Sequence, residues 1–110
     1  MDIQDAVRLV VFLSEDDRFE HQGIHDALLT RAHEDGIAGA TVWRGIEGFT
    51  RGGHIRSARF PDAATGLPLT VEFVDLPERI ESFLPVIAEM APGSLVTRER
   101  IQLLRRAPSA

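Results

Sequence analysis

Two periodicities of apolar residues alternate along the chain and predict a succession of strands and helices. Residues 7–14 form a nearly continuous apolar run rich in β-branched side chains, which is typical of a strand buried on both faces. Between residues 24 and 32 the apolar positions recur at helical spacing. These positions are Ile24, Ala27, Leu28 and Ala32. Gly36 follows where a helix ends, and Ile37 beyond it supplies the hydrophobic contact of a Schellman motif.

The second half of the chain repeats this alternation. Residues 40–46 and 69–74 alternate between apolar and polar positions and predict strands two and three. Asp75 and Glu78 have the spacing of a capping box and predict the start of helix two. The apolar stripe of that helix is Ile80, Phe83, Leu84, Ile87 and Met90. Residues 94–104 predict the last strand.

The element order β-α-β-β-α-β predicts an α+β fold of the ferredoxin-like type, a four-stranded antiparallel sheet with two helices on one face. We expect one domain over residues 1–110, with a core of about residues 7–104 and a flexible tail at 105–110. The alternation in strand two separates two faces. Ala40, Val42 and Ile46 lie on one, and Thr41 and Trp43 lie on the other. We expect Trp43 and Val74 on the uncovered sheet face, which favours self-association.

The composition is that of a globular protein and excludes several kinds of protein. Hydrophobic residues make up 44% of the chain and charged residues 26%, and there are no cysteines, which excludes disulfides and thiolate metal sites. The longest apolar run, from Leu9 to Leu13, is far shorter than the ~20 residues of a membrane span. Asp2 and Asp5 stand where a signal peptide would be basic. We expect a cytoplasmic protein.

Charge is distributed unevenly. The net charge of −5 disfavours binding to nucleic acid. Residues 43–59, however, hold four arginines against one glutamate, which makes this segment basic on an acidic body. All basic residues are arginine. That usage would suit bidentate binding of anions, but we attribute it to the base composition of the genome.

Residues 45–53 contain four of the nine glycines and are predicted to form a loop. The backbone N–H groups of these glycines could form a nest for an anion, with arginines supplying charge for phosphate. The glycines are Gly45, Gly48, Gly52 and Gly53, and the arginines are Arg44, Arg51 and Arg56. A flexible hairpin connection with solvated arginines is the alternative, and the composition does not decide between the two.

No catalytic or metal-binding set is apparent. His21 and His25 are four residues apart, a spacing that places two imidazoles on one helical face, but the ligands for a structural zinc site are incomplete. We interpret both as solvated histidines. The serines lack a nucleophile-elbow motif, and the paired carboxylates fall in turns. We therefore expect a protein that is not an enzyme and that has no metal or resident cofactor.

Several phrases of the sequence resemble one known family, over about residues 8–104. They are Gly39 to Phe49 (GATVWRGIEGF), His54-Ile55, Val71 to Asp75 (VEFVD), Phe83 to Pro85 (FLP) and Leu95 to Thr97 (LVT). Together they resemble the domain-of-unknown-function 190 family. That family is similar in fold to the PII signalling proteins, which are trimers of ferredoxin-like subunits that bind adenine nucleotides between subunits.

The resemblance implies a function and a site. It implies a PII-like regulatory homotrimer that senses a small anionic ligand, expected to be an adenine nucleotide, in clefts between subunits. Residues 45–58 would correspond to the mobile T-loop and would signal to a partner protein such as a membrane transporter or an enzyme. The implied ligand-binding residues are Arg44, Gly45, Gly48, Phe49, His54 and Arg56. The alternative is a metal-ion binding module of the copper-tolerance type, whose trimers share this architecture.

Overall fold

The computed structural model of the chain describes residues 1–60 and 65–105 and places four long strands and two helices in them. In chain order they are β1 (Asp2–Ser14), α1 (Ile24–Glu34), β2 (Gly39–Arg44), β3 (Pro68–Asp75), α2 (Pro77–Met90) and β4 (Leu95–Arg105). Two short ladders of two residues a side add to them. Arg18–Phe19 pairs with Gln22–Gly23, and Glu47–Gly48 pairs with Arg56–Ser57.

The four long strands form one antiparallel sheet in the order β2-β3-β1-β4. Both helices pack on the same face of this sheet. Side chains of β1 and β3 at alternate positions share one buried cluster with side chains of α1 and α2. The members from the two strands are Val7, Leu9, Val11, Leu13, Leu69, Val71 and Phe73. The predicted ferredoxin-like fold is confirmed.

Strand β1 occupies the centre of the sheet, as the continuous apolar run predicts. It is longer than the run, however, because it begins at Asp2. Residues 2–5 are exposed, so they are held in the strand by pairing with residues 102–105 of β4 and not by burial. Arg105, which we expected in the tail, is therefore the last residue of β4, while residues 106–110 of the predicted flexible tail lie outside the described residues.

Helix α1 ends as the sequence predicts. Gly36 has a φ of +74°, and its N–H donates to the carbonyl of His33. The N–H of Ile37 donates to the carbonyl of Ala32 at 3.0 Å. These two hydrogen bonds are those of a Schellman motif, in which a left-handed glycine lets the chain turn back and satisfies the last carbonyls of the helix.

The start of helix α2 corrects the sequence prediction. The N-cap residue is Leu76, and no side chain caps the helix, so Asp75 and Glu78 do not form a capping box. Asp75 is still part of β3 and is only 3% exposed. Its carboxylate accepts hydrogen bonds from the N–H of Leu76 at 2.7 Å, the N–H of Ala38 at 2.9 Å and Nε of Arg79 at 2.9 Å. It joins α2 to the segment before β2.

Strand β2 also ends earlier than predicted. Ile46 does not share a buried face with Ala40 and Val42, because the chain leaves the sheet after Arg44 and Ile46 is 76% exposed. The register confirms that Trp43 and Val74 lie on the face away from the helices. Trp43 stands opposite Thr70, and its side chain is 56% exposed.

The hydrogen bonds of Asp75 predict that removal of its charge lowers the stability of the fold. Asp75→Asn should lower the free energy of unfolding by about 2–3 kcal/mol, because it weakens charge-assisted hydrogen bonds inside the fold. Urea unfolding followed by far-UV circular dichroism measures this. Asp35→Asn is the matched control, since Asp35 pairs with Arg31 on the exposed surface. This substitution should change the free energy of unfolding by less than about 1 kcal/mol.

The effect of Asp75→Asn should also depend on pH. Burial alone would raise the pKa of Asp75, but the hydrogen bonds from Leu76, Arg79 and Ala38 outweigh it and hold the pKa below the ordinary value of 3.8. The stabilisation is therefore complete above that ordinary value and is lost as pH falls through the lower pKa of the folded state. A difference between variant and wild type that stayed constant down to pH 2 would contradict this assignment.

Candidate functional site

The segment between β2 and β3 begins and ends at nearly the same point. The N–H of Gly45 donates to the carbonyl of Pro68 at 2.7 Å. A Cβ atom on Gly45 would lie 2.9 Å from Cγ of Pro68 and 3.2 Å from its carbonyl oxygen. The fold therefore requires glycine at position 45, because the two ends of the segment approach too closely for a side chain.

Past Gly45 the segment forms a short hairpin. The ladder of Glu47–Gly48 with Arg56–Ser57 is its stem, and the N–H of Ala58 donates to the carbonyl of Ile46 at 2.8 Å. An ion pair between Arg59 and Glu47, at 2.8 Å, supports the stem from outside. The segment that the sequence predicts as a loop thus carries its own local structure, and residues 49–55 form its tip.

Two small cavities flank this hairpin, and each of the six predicted site residues lines at least one of them. The first, of about 250 Å³, is lined by Phe49, His54 and Arg56 together with Asp16 and Asp17. The second, of about 310 Å³, is lined from this set by Arg44, Gly45, Gly48 and Phe49. Phe12, Trp43 and Thr70 of the open sheet face and Glu47 of the hairpin also line the second cavity. Phe49 borders both, with 67% of its surface exposed.

Arg44 does not stand free in its cavity. Its Nε lies 3.0 Å from Oε2 of Glu15, and its Nη2 lies 3.4 Å from Oε1, which is a two-point pair. Glu72, the structural partner that strand order would favour, pairs instead with Arg8 at 3.3 Å, because both side chains lie on the open sheet face. The hydrogen bond from Arg44, followed by one from the N–H of Leu67, lowers the pKa of Glu15.

The remaining arginines of the segment have different surroundings. The Arg51 guanidinium donates to the carbonyl of Gly93, in the turn between α2 and β4. Arg56 is half-buried in the first cavity, and among residues 1–60 and 65–105 its guanidinium has no ion pair and no side-chain hydrogen bond. Of the three arginines proposed for phosphate binding, Arg56 is thus the one whose hydrogen-bonding groups are uncommitted within the described residues.

The glycine nest does not form in this conformation. Two of its four N–H groups already donate hydrogen bonds to backbone carbonyls. Gly45 donates to Pro68, and Gly53 donates to Thr50 at 2.8 Å. Gly48 and Gly52 have positive φ angles of 152° and 67°, which serve the hairpin turn. The hairpin alternative is therefore the one that the structure favours.

The acidic turn after β1 is the part of the site that sequence reasoning missed. Glu15, Asp16 and Asp17 read as a solvated turn, yet they line or support the cavities of the basic segment. Their place follows from the register, which sets Ser14 opposite Pro68 and so brings the end of β1 to the start of β3. The only signal in the sequence was the predicted topology itself.

The histidine pair does not share a helical face. Helix α1 begins at Ile24, so His21 lies before it, in the turn between the two short strands Arg18–Phe19 and Gln22–Gly23. Nε2 of His25 lies 3.5 Å from Oδ1 of Asp26. Within residues 1–60 and 65–105, no three or more His, Asp or Glu side chains are grouped so that they could hold a metal ion.

A membrane span is not found either. In the described part of the chain, neither helix has the length and apolar character to cross a bilayer.

Comparison with known proteins places this geometry in context. The sequence profile of DUF190, described as Uncharacterized ACR, matches residues 6–103. A UPF0166 protein of Aquifex aeolicus is 38% identical over 96 residues, which cover 87% of this chain and 90% of that protein. A UPF0166 protein of Methanocaldococcus jannaschii is 33% identical over 82 residues, covering 74% of this chain and 75% of the relative.

A solved structure shares the fold. CPII, a nitrogen regulatory PII-like protein from Thiomonas intermedia K12 bound to ADP, AMP and bicarbonate, aligns with a TM-score of 0.59. The alignment covers 96% of this chain and 100% of that one, at 14% sequence identity. The two proteins thus share a fold at low sequence identity.

The close approach at Gly45 predicts a steric effect. Gly45→Ala should lower the free energy of unfolding by about 1–3 kcal/mol, because the new methyl group would push Pro68 and the start of β3 apart. Thermal unfolding measures the change. Gly39→Ala is the control at the other end of β2, where a Cβ meets no atom within 4 Å. Equal effects of the two substitutions would refute the steric requirement.

Proposed function

This chain belongs to the DUF190 family, and from that premise we propose that it is a PII-like regulatory protein, not an enzyme. In this proposal the whole chain is a single PII-like domain that acts in the cytoplasm as a homotrimer. It senses a small anionic ligand in clefts between subunits and signals through residues 45–58. The ligand is an adenine nucleotide, alone or together with a second small anion.

One observation carries the proposal: the six residues implied by the family resemblance gather around two cavities that share Phe49. The exposed ring of Phe49 offers a stacking surface for a nucleobase, and the uncommitted guanidinium of Arg56 offers a two-point contact for a phosphate. The choice of ligand is supported by CPII, which shares the fold and binds ADP, AMP and bicarbonate.

The size of the cavities supports a site shared between subunits. Volumes of about 250 and 310 Å³ lie at or below the lower end of the range of about 300–1,000 Å³ that small-molecule sites occupy. A nucleotide held in either cavity would need a further wall. A neighbouring subunit packed on the open sheet face would supply that wall beside Trp43, which lines the second cavity.

The open sheet face supports the trimer itself. One row across the sheet runs from Trp43 through Thr70 and Phe12 to Leu95, so three of its four side chains are apolar. Trp43 and Leu95 are 56% and 60% exposed in the single chain. Large apolar side chains grouped in this way are typical of an interface between subunits.

The segment 45–58 has the surface of a signalling element. Ile46, Phe49 and Ile55 are each more than two thirds exposed, and they stand beside Arg51 and Arg56. Exposed apolar side chains with adjacent arginines are enriched in protein interfaces. We propose that a partner protein, such as a transporter or an enzyme, binds this segment.

The proposed assembly predicts the effect of a charge on the open face. The wild-type chain should have the mass of three chains in light scattering at micromolar concentration, whereas Trp43→Glu should shift the mass to that of one chain because it would bury a carboxylate in the interface. Ile55→Glu adds the same charge to the hairpin tip and should leave the mass unchanged. A wild-type mass of one or two chains would refute the trimer.

The proposed ligand site predicts a loss of affinity on removal of one guanidinium. Arg56→Ala should weaken nucleotide binding about ten- to a hundredfold, the value of a charge-assisted contact. Calorimetric titration with AMP, ADP and ATP measures it. Arg59→Ala is the matched control, because Arg59 lies three residues away and is committed to Glu47. Equal losses in both variants would show that only the net charge of the segment matters.

A further inference from the structure

The base of the hairpin segment is closed by a side chain that belongs to neither of its ends. Glu15 follows the last residue of β1 and forms the two-point pair with Arg44, the last residue of β2. The same carboxylate accepts a hydrogen bond from the N–H of Leu67 at 3.0 Å, and the N–H of Glu15 donates to the carbonyl of Leu67 at 3.0 Å. Glu15 therefore connects the departing and returning ends of the segment.

Arg44 is placed where a ligand would meet it. It lines the second cavity with Gly45, Gly48 and Phe49, and its side chain is 60% exposed, whereas that of Glu15 is only 21% exposed. The guanidinium thus has one side on the carboxylate and the other toward solvent. An anion that enters this cavity and accepts hydrogen bonds from both Nε and Nη2 of Arg44 must displace Glu15 from these two atoms.

The geometry of the pair defines the chemistry of the competing anion. The planar guanidinium fork matches two oxygens held on one atom, as in a carboxylate, bicarbonate or the edge of a phosphate. Glu15 presents such a pair of oxygens to Nε and Nη2 of Arg44. Glu15 therefore fills the position that the oxygens of such an anion would take.

We propose that Glu15 is a positioning residue that acts as an internal substitute for the ligand's anionic group. Ligand binding transfers the Arg44 guanidinium from Glu15 to the ligand and removes one of the links that close the base of the segment. This inference rests on the proposed function, since it concerns the same cavity. It adds the step by which occupancy of the cavity reaches residues 45–58.

The first test measures affinity after the competing charge is removed. Glu15→Gln keeps the shape of the side chain and an oxygen for the N–H of Leu67. ADP and bicarbonate are titrated separately by calorimetry, and the variant should bind at least one of them about two- to fivefold more tightly, the range set by loss of one exposed ion pair. Glu81→Gln, which removes the carboxylate of an exposed ion pair with Arg98 and lies outside both hairpin cavities, should not show this gain.

The second test follows the arginine directly. In the wild type without ligand, exchange of the Arg44 Nε proton with water, measured by NMR, should be slow because Glu15 accepts it. In Glu15→Gln the exchange should be faster, and saturating ADP or bicarbonate should slow it again. Arg44→Lys identifies the resonance. A residue that only stabilises the fold would not give this recovery.

The outcomes separate the two proposals. If the wild type binds neither ADP nor bicarbonate, the proposed function fails and this inference fails with it. Two other results would refute the role of Glu15 as a stand-in for the ligand's anionic group while the proposed function stands. The first is that the wild type binds but Glu15→Gln binds no more tightly. The second is that the ligand does not slow exchange of the Arg44 Nε proton in the variant.

Discussion

The register of β1 with β3 is the constraint on which the rest of the structure depends. Because side chains alternate between the two faces of a strand, a slip of one residue would move the whole buried set of β1 to the open face. The observed register aligns Leu13 with Leu69 and, through β3, with Arg44. It also aligns Ser14 with Pro68, so the acidic turn after β1 lies beside both ends of the hairpin segment. The core and the candidate site are thus set by one pairing.

The fold could be predicted because its determinants are local. A continuous apolar run marks β1, runs with a period of two residues mark β2 and β3, and runs with a period of 3.6 residues mark the two helices. The Schellman motif is indicated by two adjacent residues, Gly36 and Ile37. The first five residues of β1 could not be predicted in this way, because the two apolar residues among them, Ile3 and Ala6, are three positions apart and do not share a strand face. They are strand because β4 lies alongside, and that partner is about a hundred residues away in sequence.

The sequence did not predict the interactions made within the candidate site. The six residues implied by the family resemblance line two cavities, and their role in ligand binding stays a prediction, whereas the partners of the arginines escaped prediction. Strand order alone would pair Arg44 with Glu72 of the neighbouring strand, but alternation puts Glu72 on the open face beside Arg8. Asp75 shows the same limitation. Its spacing from Glu78 predicts a helix cap, whereas in the structure it is buried and binds the segment before β2. Ion pairs depend on where side chains point, which sequence periodicity does not specify for polar groups.

The meeting of the segment's two ends at Gly45 and Pro68 has a consequence for how this architecture can diversify. A loop whose ends are held together by the sheet can grow or shrink at small cost, since doubling the length of a flexible loop adds only about 0.6 kcal/mol of closure entropy. Insertions beyond the Glu47–Gly48 stem would leave the core register untouched. Changes in length or sequence at the tip are then compatible with an unchanged sheet, so the hairpin can vary independently of the core.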